Sequence, residues 1–225
     1  MRHWAMVCAV VAVLTLATAG CSRVVDGAAQ PDPLRPGVAI TEDGYGIVVG
    51  LPDAPVRLEV YTEPQCDHCA DFQARFGEDL RSHIQTGRLS VTYRPLTFLD
   101  DEYYTDYSAR AANALFLSTA PATSASTFQS FVEDLWANQG LAQEEFTDDD
   151  FATLARESGV APDLVATISA GATGVDAYEM NDANISALSE VAAGPPGTPT
   201  VHDLTSDQIV DISDPNWLSL LMRQA

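Results

Sequence analysis

Val60-Tyr-Thr-Glu63-Pro64-Gln-Cys66-Asp-His68-Cys69-Ala-Asp-Phe72 holds two thiols where one sequence periodicity gives way to another. Upstream, Val56 to Tyr61 is an apolar run of the kind a buried strand shows. It breaks at Glu63-Pro64. Downstream, Phe72, Phe76 and Leu80 recur at helical spacing. Cys66 and Cys69 therefore open a helix that follows a strand. The first turn of a helix carries unpaired N–H groups and the positive end of the macrodipole. A thiolate at Cys66 is stabilised there, and a thiol pKa of ~8.5 falls by several units in such places. Protonated His68 adds to this. Asp67 and Glu63 oppose it, since like charge disfavours a thiolate. Cys69, one turn further in, is expected to be shielded and to act as the resolving thiol, closing a disulfide by exchange through a mixed disulfide.

Two plainer roles compete for the pair. A structural disulfide across so short a ring constrains little of the unfolded chain. A zinc half-site of Cys66, His68 and Cys69 lacks the second cysteine pair that would complete a closed ligand set. The spacing and placement favour redox chemistry, with no metal.

The chain has 225 residues, room for one domain with a sizeable core or one domain with a large insertion. The formal net charge is −21, and all 11 basic residues are arginine. This argues against nucleic acid and anionic lipid head groups as partners. Met1-Arg-His is followed by an apolar stretch, Trp4 to Ala19, too short for a comfortable span and laid out as a secretory signal over residues 1–20. An uncleaved N-terminal anchor is the alternative. Thr18-Ala19-Gly20-Cys21 resembles the bacterial lipobox, which implies that Cys21 becomes the lipidated first residue. Cys8 would leave with the signal. Residues 21–44, polar and Pro/Gly-bearing, read as a flexible, lipid-anchored tether. The mature domain then owns only Cys66 and Cys69, and it is expected outside the cytoplasmic membrane, where disulfides are made.

Residues 45–99 read as a strand near Tyr45 to Leu51, the strand from Val56, the helix from Cys66 to a cap at Gly87, and a strand from Leu89 to Leu96. That order predicts a parallel βαβ unit. Residues 100–193 read as helices. Phe128, Phe131, Val132, Leu135 and Trp136 form an apolar stripe, Ser126 to Gln129 suggests a capping box, and Gly140 a stop. Thr147 to Asp150 starts a further helix and Pro162 another. Between positions 100 and 190 lie 17 Asp or Glu against two Arg, a block read as a solvated acidic surface. Residues 194–225 read as a Gly/Pro loop, an antiparallel hairpin and a last helix capped by Asp214. His83 and His202 are read as ordinary helix and strand residues.

With these features assembled, the chain resembles the DsbA-like branch of the thioredoxin superfamily over roughly 45–225. The signals are Cys66-x-x-Cys69 at a strand–helix junction, Gly197-Thr198-Pro199-Thr200 before a late strand, and the terminal hairpin plus helix. The resemblance implies an α/β thioredoxin-like fold with a mixed sheet, an inserted helical domain, a cis Thr198–Pro199 bond against the dithiol, and substrate binding at Thr198 and Pro199. It also implies a thiol–disulfide oxidoreductase that needs no cofactor. Its partners would be reduced or misoxidised secreted polypeptides and a membrane protein that resets the dithiol. Reductase or isomerase action, or a non-catalytic binding module of the same fold, are the other readings. Two departures stand out. The family's buried acid six residues before the nucleophile is Val60 here, with Glu59 one place off and expected on the other sheet face. Asp67 between the cysteines is unusual and points to a less oxidising dithiol.

Overall fold

The structure, a computed structural model, describes residues 35–139, 146–192, 194 and 197–224. The expected signal, Cys8, Cys21, the start of the tether and Gly140 lie outside the described residues. Among those described, no helix is long and apolar enough to cross a membrane.

Six strands form one mixed sheet: β1 (Gly37–Ile40), β2 (Ile47–Gly50), β3 (Val56–Thr62), β4 (Leu89–Pro95), β5 (Thr200–Asp203) and β6 (Gln208–Ile209), in the order β1-β2-β4-β3-β5-β6. β3 and β4 run parallel, with Leu58 beside Val91 and Val60 beside Tyr93, and the other pairs are antiparallel. The predicted βαβ unit is thus the centre of the sheet. Its crossover is helix α1 (Asp67–Gln85). This helix ends at Gly87, whose φ of +69° a side chain would resist, and whose added Cβ would sit 2.8 Å from Leu51 Cδ1.

β1 corrects one boundary. Residues 37–40, expected in the tether, pair antiparallel with β2 along the whole strand. The thioredoxin-like core therefore begins before Tyr45.

Between β4 and β5 lie α2 (Phe98–Tyr103), α3 (Tyr107–Leu117), α4 (Ala125–Ala137), α5 (Asp148–Glu157), α6 (Pro162–Ser169) and α7 (Ala177–Val191). α4 starts at a Ser124 cap, whose side chain accepts from Thr127 N, rather than at the expected Ser126 box. Thr147 and Asp150 do form a reciprocal capping box on α5, with Asp148 to Asp150 in its positive first turn. α8 (Trp217–Gln224) closes the chain. It begins later than expected. Asp214 accepts from Asn216 N in a preceding turn, and Trp217 N bonds to the Asp214 carbonyl.

One large core joins the inward face of the sheet to α1 and α4 through Leu58, Val60, Val91, Phe72, Leu80, Phe128 and Trp136. Burial of each such side chain contributes roughly 1.5–3 kcal/mol. Trp217 of α8 stacks on Phe72 and meets Phe76 edge-on, with ring centres 6.1 and 5.4 Å apart. A smaller cluster on the other face packs Tyr61 and Leu96 against Leu188 of α7. The two faces follow from the two-residue period of β3: Leu58 and Val60 face α1, while Glu59 and Tyr61 face α7.

Candidate active site

β3 delivers the chain to Glu63-Pro64-Gln65, and three pieces of the helical block hold that tripeptide. Trp136 Nε1 of α4 donates to the Glu63 carbonyl at 3.3 Å, and Gln139 Nε2 donates to the Pro64 carbonyl at 2.9 Å. Gln65 Nε2 donates to Asp100 Oδ1 of α2 at 2.8 Å and to Ser108 Oγ of α3 at 3.0 Å. The next residue is Cys66, at the N-cap position of α1. Its carbonyl accepts from Cys69 N at 2.9 Å and Ala70 N at 3.2 Å. The insertion therefore braces the approach to the thiols.

Cys66 and Cys69 are free thiols here, the first half-buried and the second fully buried. The Cys66 pKa is pulled down to about 5. The Cys69 thiol hydrogen-bonds to it, and the Thr198 hydroxyl and the peptide N–H groups of Cys69 and His68 add to this, against the opposing effect of burial. Cys69 moves the other way, well above an ordinary thiol, because burial and the neighbouring Cys66 both penalise a second negative sulfur. The largest stabilising donor is the Cys69 thiol, and the helix-start N–H groups, on which the sequence argument rested, come after it and after Thr198.

The Thr198–Pro199 bond is cis, and the Thr198 carbonyl accepts from the Cys66 thiol at 3.3 Å. A groove of about 320 Å³ lies beside these atoms, lined by His68, Asp71, Phe72, Arg75, Thr198, Pro199 and Ile212. The structure therefore gathers Cys66, Cys69, His68, Thr198 and Pro199 in one place. His68 is exposed on the groove wall. No group of three or more His, Cys, Asp or Glu is arranged for a metal among the described residues.

Glu63 departs from expectation. It is fully buried, with no surface exposed. The Ser108 hydroxyl donates to its Oε1, and Gln65 N donates to its Oε2 at 2.6 Å. Burial first, then the charges of Asp100 and Cys66, push its pKa up to about 8 despite these donors. At neutral pH it is chiefly a neutral acid, so it does not act as the fixed negative charge expected beside the thiolate. Its peptide N–H also donates to Cys69 Sγ at 3.5 Å. The sequence showed the glutamate and its proximity to the cysteines. Its burial depends on Ser108 and Trp136, far along the chain.

Glu59 lies on the other face, as the strand period requires. Arg94 Nε donates to its Oε1 at 2.8 Å and Tyr61 OH to its Oε2 at 2.7 Å. His202 is buried beside this pair and bonds to Asp207 at 3.0 Å. His83 lies in the last turn of α1.

A family model described as thioredoxin matches residues 42–202. The chain belongs to the thioredoxin family. Among curated proteins it is similar to the serine/threonine-protein kinase PknE of Mycobacterium tuberculosis, with 31% identity over 186 residues. That match takes in 79% of this chain and 31% of the kinase, so the chain spans about a third of the length of the curated relatives it matches. Among solved structures it is similar to MdbA, a thiol-disulfide oxidoreductase from Corynebacterium diphtheriae, with a TM-score of 0.68 and 22% identity over 84% of this chain and 95% of that one. It is also similar to oxidised DsbA of Mycobacterium tuberculosis, with a TM-score of 0.58 and 21% identity over 78% of this chain and 87% of that one. At these identities the likeness establishes a shared, DsbA-like form of the thioredoxin fold, with helices inserted between its two halves.

Proposed function

We propose that this chain is an exported thiol–disulfide oxidoreductase that oxidises cysteine pairs of secreted polypeptides, held at the outer face of the cytoplasmic membrane by lipid on Cys21. The observation that carries this reading is the placement of the two thiols, a half-buried Cys66 at the N-cap of α1 against the cis Thr198–Pro199 loop and a fully buried Cys69 behind it, which pulls the Cys66 pKa down to about 5 and pushes that of Cys69 up. In the oxidised state a substrate thiolate attacks the Cys66 sulfur and expels Cys69, which takes up a proton. The mixed disulfide breaks when the substrate's second thiolate attacks its own bonded sulfur. Cys66 then leaves as a stable thiolate, and a low leaving-group pKa speeds that departure. Cys69 stays protonated, so it competes poorly for the mixed disulfide and the substrate has time to close its own bond.

The Thr198 carbonyl, which takes the Cys66 hydrogen bond in the free thiol, is released when that sulfur becomes substituted. It can then accept from the backbone of an extended substrate, as in strand addition. His68 borders the groove and supplies positive charge to Cys66 when protonated. A membrane redox partner accepts the two electrons and restores the disulfide, without any bound metal or organic cofactor. The exported location draws support from the apolar leader and the Cys21 lipobox in the sequence.

Reduction or isomerisation is the second reading, favoured by exposed Asp67 next to Cys66 and by Val60 in place of the family's buried acid. The dithiol's reduction potential decides between them. A value near DsbA's ~−120 mV supports net oxidation, and one near thioredoxin's ~−270 mV overturns it. Cys66→Ser separates both from a binding module, which would keep its activity without that sulfur.

A further inference from the structure

We propose that the groove beside the dithiol reads the order of charges along a substrate polypeptide: Asp71 takes a basic side chain close to the reactive cysteine, and Arg75 takes an acidic one further out. This rests on the oxidoreductase reading above and deepens it by naming the substrate class.

Both residues stand on the α1 wall of the groove, on one helix face with His68, Phe72 and Phe76. The facing residues, Thr198, Pro199, Ile212 and Ser213, are uncharged. Asp71 and Arg75 are exposed. At positions i and i+4 they are spaced to pair with each other. Among the described residues, however, neither forms an ion pair or a hydrogen bond. The Arg75 guanidinium is drawn instead over the Phe76 ring, 4.8 Å from its centre. A negative and a positive group are thus left open to whatever occupies the groove.

Their spacing matches an extended chain. Counted from Cys66 at the N-cap, the helical rise places Asp71 roughly 7–8 Å and Arg75 roughly 13–14 Å along α1. In an extended strand, every second side chain shares a face, about 6.5–7 Å apart. A polypeptide joined to Cys66 and lying along α1 therefore sets its second residue from the cysteine at Asp71 and its fourth at Arg75. Basic then acidic meets two attractions. Acidic then basic meets two repulsions. Each such exposed contact changes a rate by about two- to fivefold.

The test uses the oxidised whole chain and four end-blocked peptides of one composition. They are Cys-Ala-Lys-Ala-Glu, Cys-Ala-Glu-Ala-Lys, and the same two written backwards, so that both chain directions are sampled. Two peptide thiols lose two electrons and two protons and become a disulfide. Cys66 and Cys69 take the electrons, Cys69 takes one proton, and solvent takes the other. The rate of dithiol formation is measured for the wild type and for the charge-swapped double variant Asp71→Arg, Arg75→Asp. A nearby lysine alters a peptide thiol's own reactivity, but equally toward both proteins. The swap alters Cys66, but equally for all peptides. His68, Asp67, Glu78 and Asp79 are the same in both proteins. The ratio of the lysine-near to the glutamate-near rate is therefore the readout.

The expected result, in at least one chain direction, is a ratio that falls about tenfold from wild type to variant. The fall should shrink in about 0.5 M salt. A ratio that is unchanged, or that rises, in both directions overturns the charge readout and leaves the oxidoreductase reading standing. If no peptide reduces the wild type, the oxidoreductase reading falls with it. Should the double variant not fold, Arg75→Gln alone should lower the ratio by about two- to fivefold. An unchanged ratio there overturns the proposal.

Discussion

Asp100 on α2 accepts from Gln65 Nε2 at 2.8 Å with the same Oδ1 that accepts from Ser108 N of α3 at 2.9 Å. One carboxylate thus joins the thiol loop to the start of a helix. Its Oδ2 takes Ala109 N at 2.8 Å, so Asp100 satisfies two first-turn N–H groups of α3 from outside that helix. A carboxylate there is also favoured by the helix dipole. Asp100→Ala should destabilise the fold by about 1–2 kcal/mol, the usual cost of a lost cap. It should also free Gln65. Urea unfolding measures the first effect. Slower thiol exchange with glutathione at unchanged Cys66 ionisation measures the second. An unchanged midpoint would mean that solvent replaces Asp100 at no cost.

Alkylation of Cys66 reads its ionisation directly. The rate with iodoacetamide should rise with pH around a midpoint near 5 and be flat from there through neutrality, with Cys69 unreactive at neutral pH. In Cys69→Ser the thiol partner becomes a hydroxyl, and the midpoint should move up, because the largest stabilising donor to the thiolate has changed. Offered polypeptides that already carry disulfides, the same variant should accumulate mixed disulfides, since the Cys66 thiolate can open a substrate disulfide and Cys69 is no longer there to release it. A Cys66 midpoint near the ordinary thiol value of ~8.5 would remove the basis for catalysis.

Glu59 and Arg94 form a largely, not fully, buried pair on the sheet face away from the thiols, with Nε and Oε1 2.8 Å apart. Arg94 also reaches Asp43 at 2.5 Å. Arg94→Met strands a carboxylate and should cost about 3–5 kcal/mol. Glu59→Leu together with Arg94→Met removes both charges and should recover much of that loss. The Cys66 alkylation profile should stay as it was in both. Equal destabilisation by the single and double changes would show that packing, and not the stranded charge, sets the cost.

The local signals were legible in the sequence, and the long-range ones were not. The strand–helix junction at Cys66, the stop at Gly87 and the helix start at Thr147 to Asp150 are each written within a few residues, so spacing sufficed. β1 escaped because Gly37 to Ile40 is a four-residue edge strand with half-exposed and exposed positions and no alternation to detect. Its partner gives it order, and propensity alone does not. The late start of α8 reflects a turn at Asp214 and Pro215 that uses the residues a cap would use. Glu63 is the most informative case. From sequence it is one more acid in an acidic chain. Ser108, Tyr107, Asp100 and Trp136 are remote in sequence, and their convergence turns it into a neutral group.

That convergence sets the pH dependence of stability at one position. The native Glu63 pKa is raised from 4.5 to about 8, so between those values the folded chain binds a proton that the unfolded chain has released. Unfolding is then favoured as pH rises across this window, by up to about 1.4 kcal/mol per pH unit, and the effect levels off above it. Glu63→Gln keeps the shape and the hydrogen-bonding capacity and removes the titration. At pH 4 it should match or fall slightly below the wild type. Its relative stability should then climb with pH and plateau above about pH 8, with a total change of a few kcal/mol. Chemical denaturation across this range, with Cys66→Ser in both proteins so that no thiolate titrates beside the carboxyl, measures it. A variant that loses ground to the wild type as pH rises would show that the native carboxyl is stabilised as an anion. That result would contradict the neutral Glu63 on which its place beside the thiolate depends.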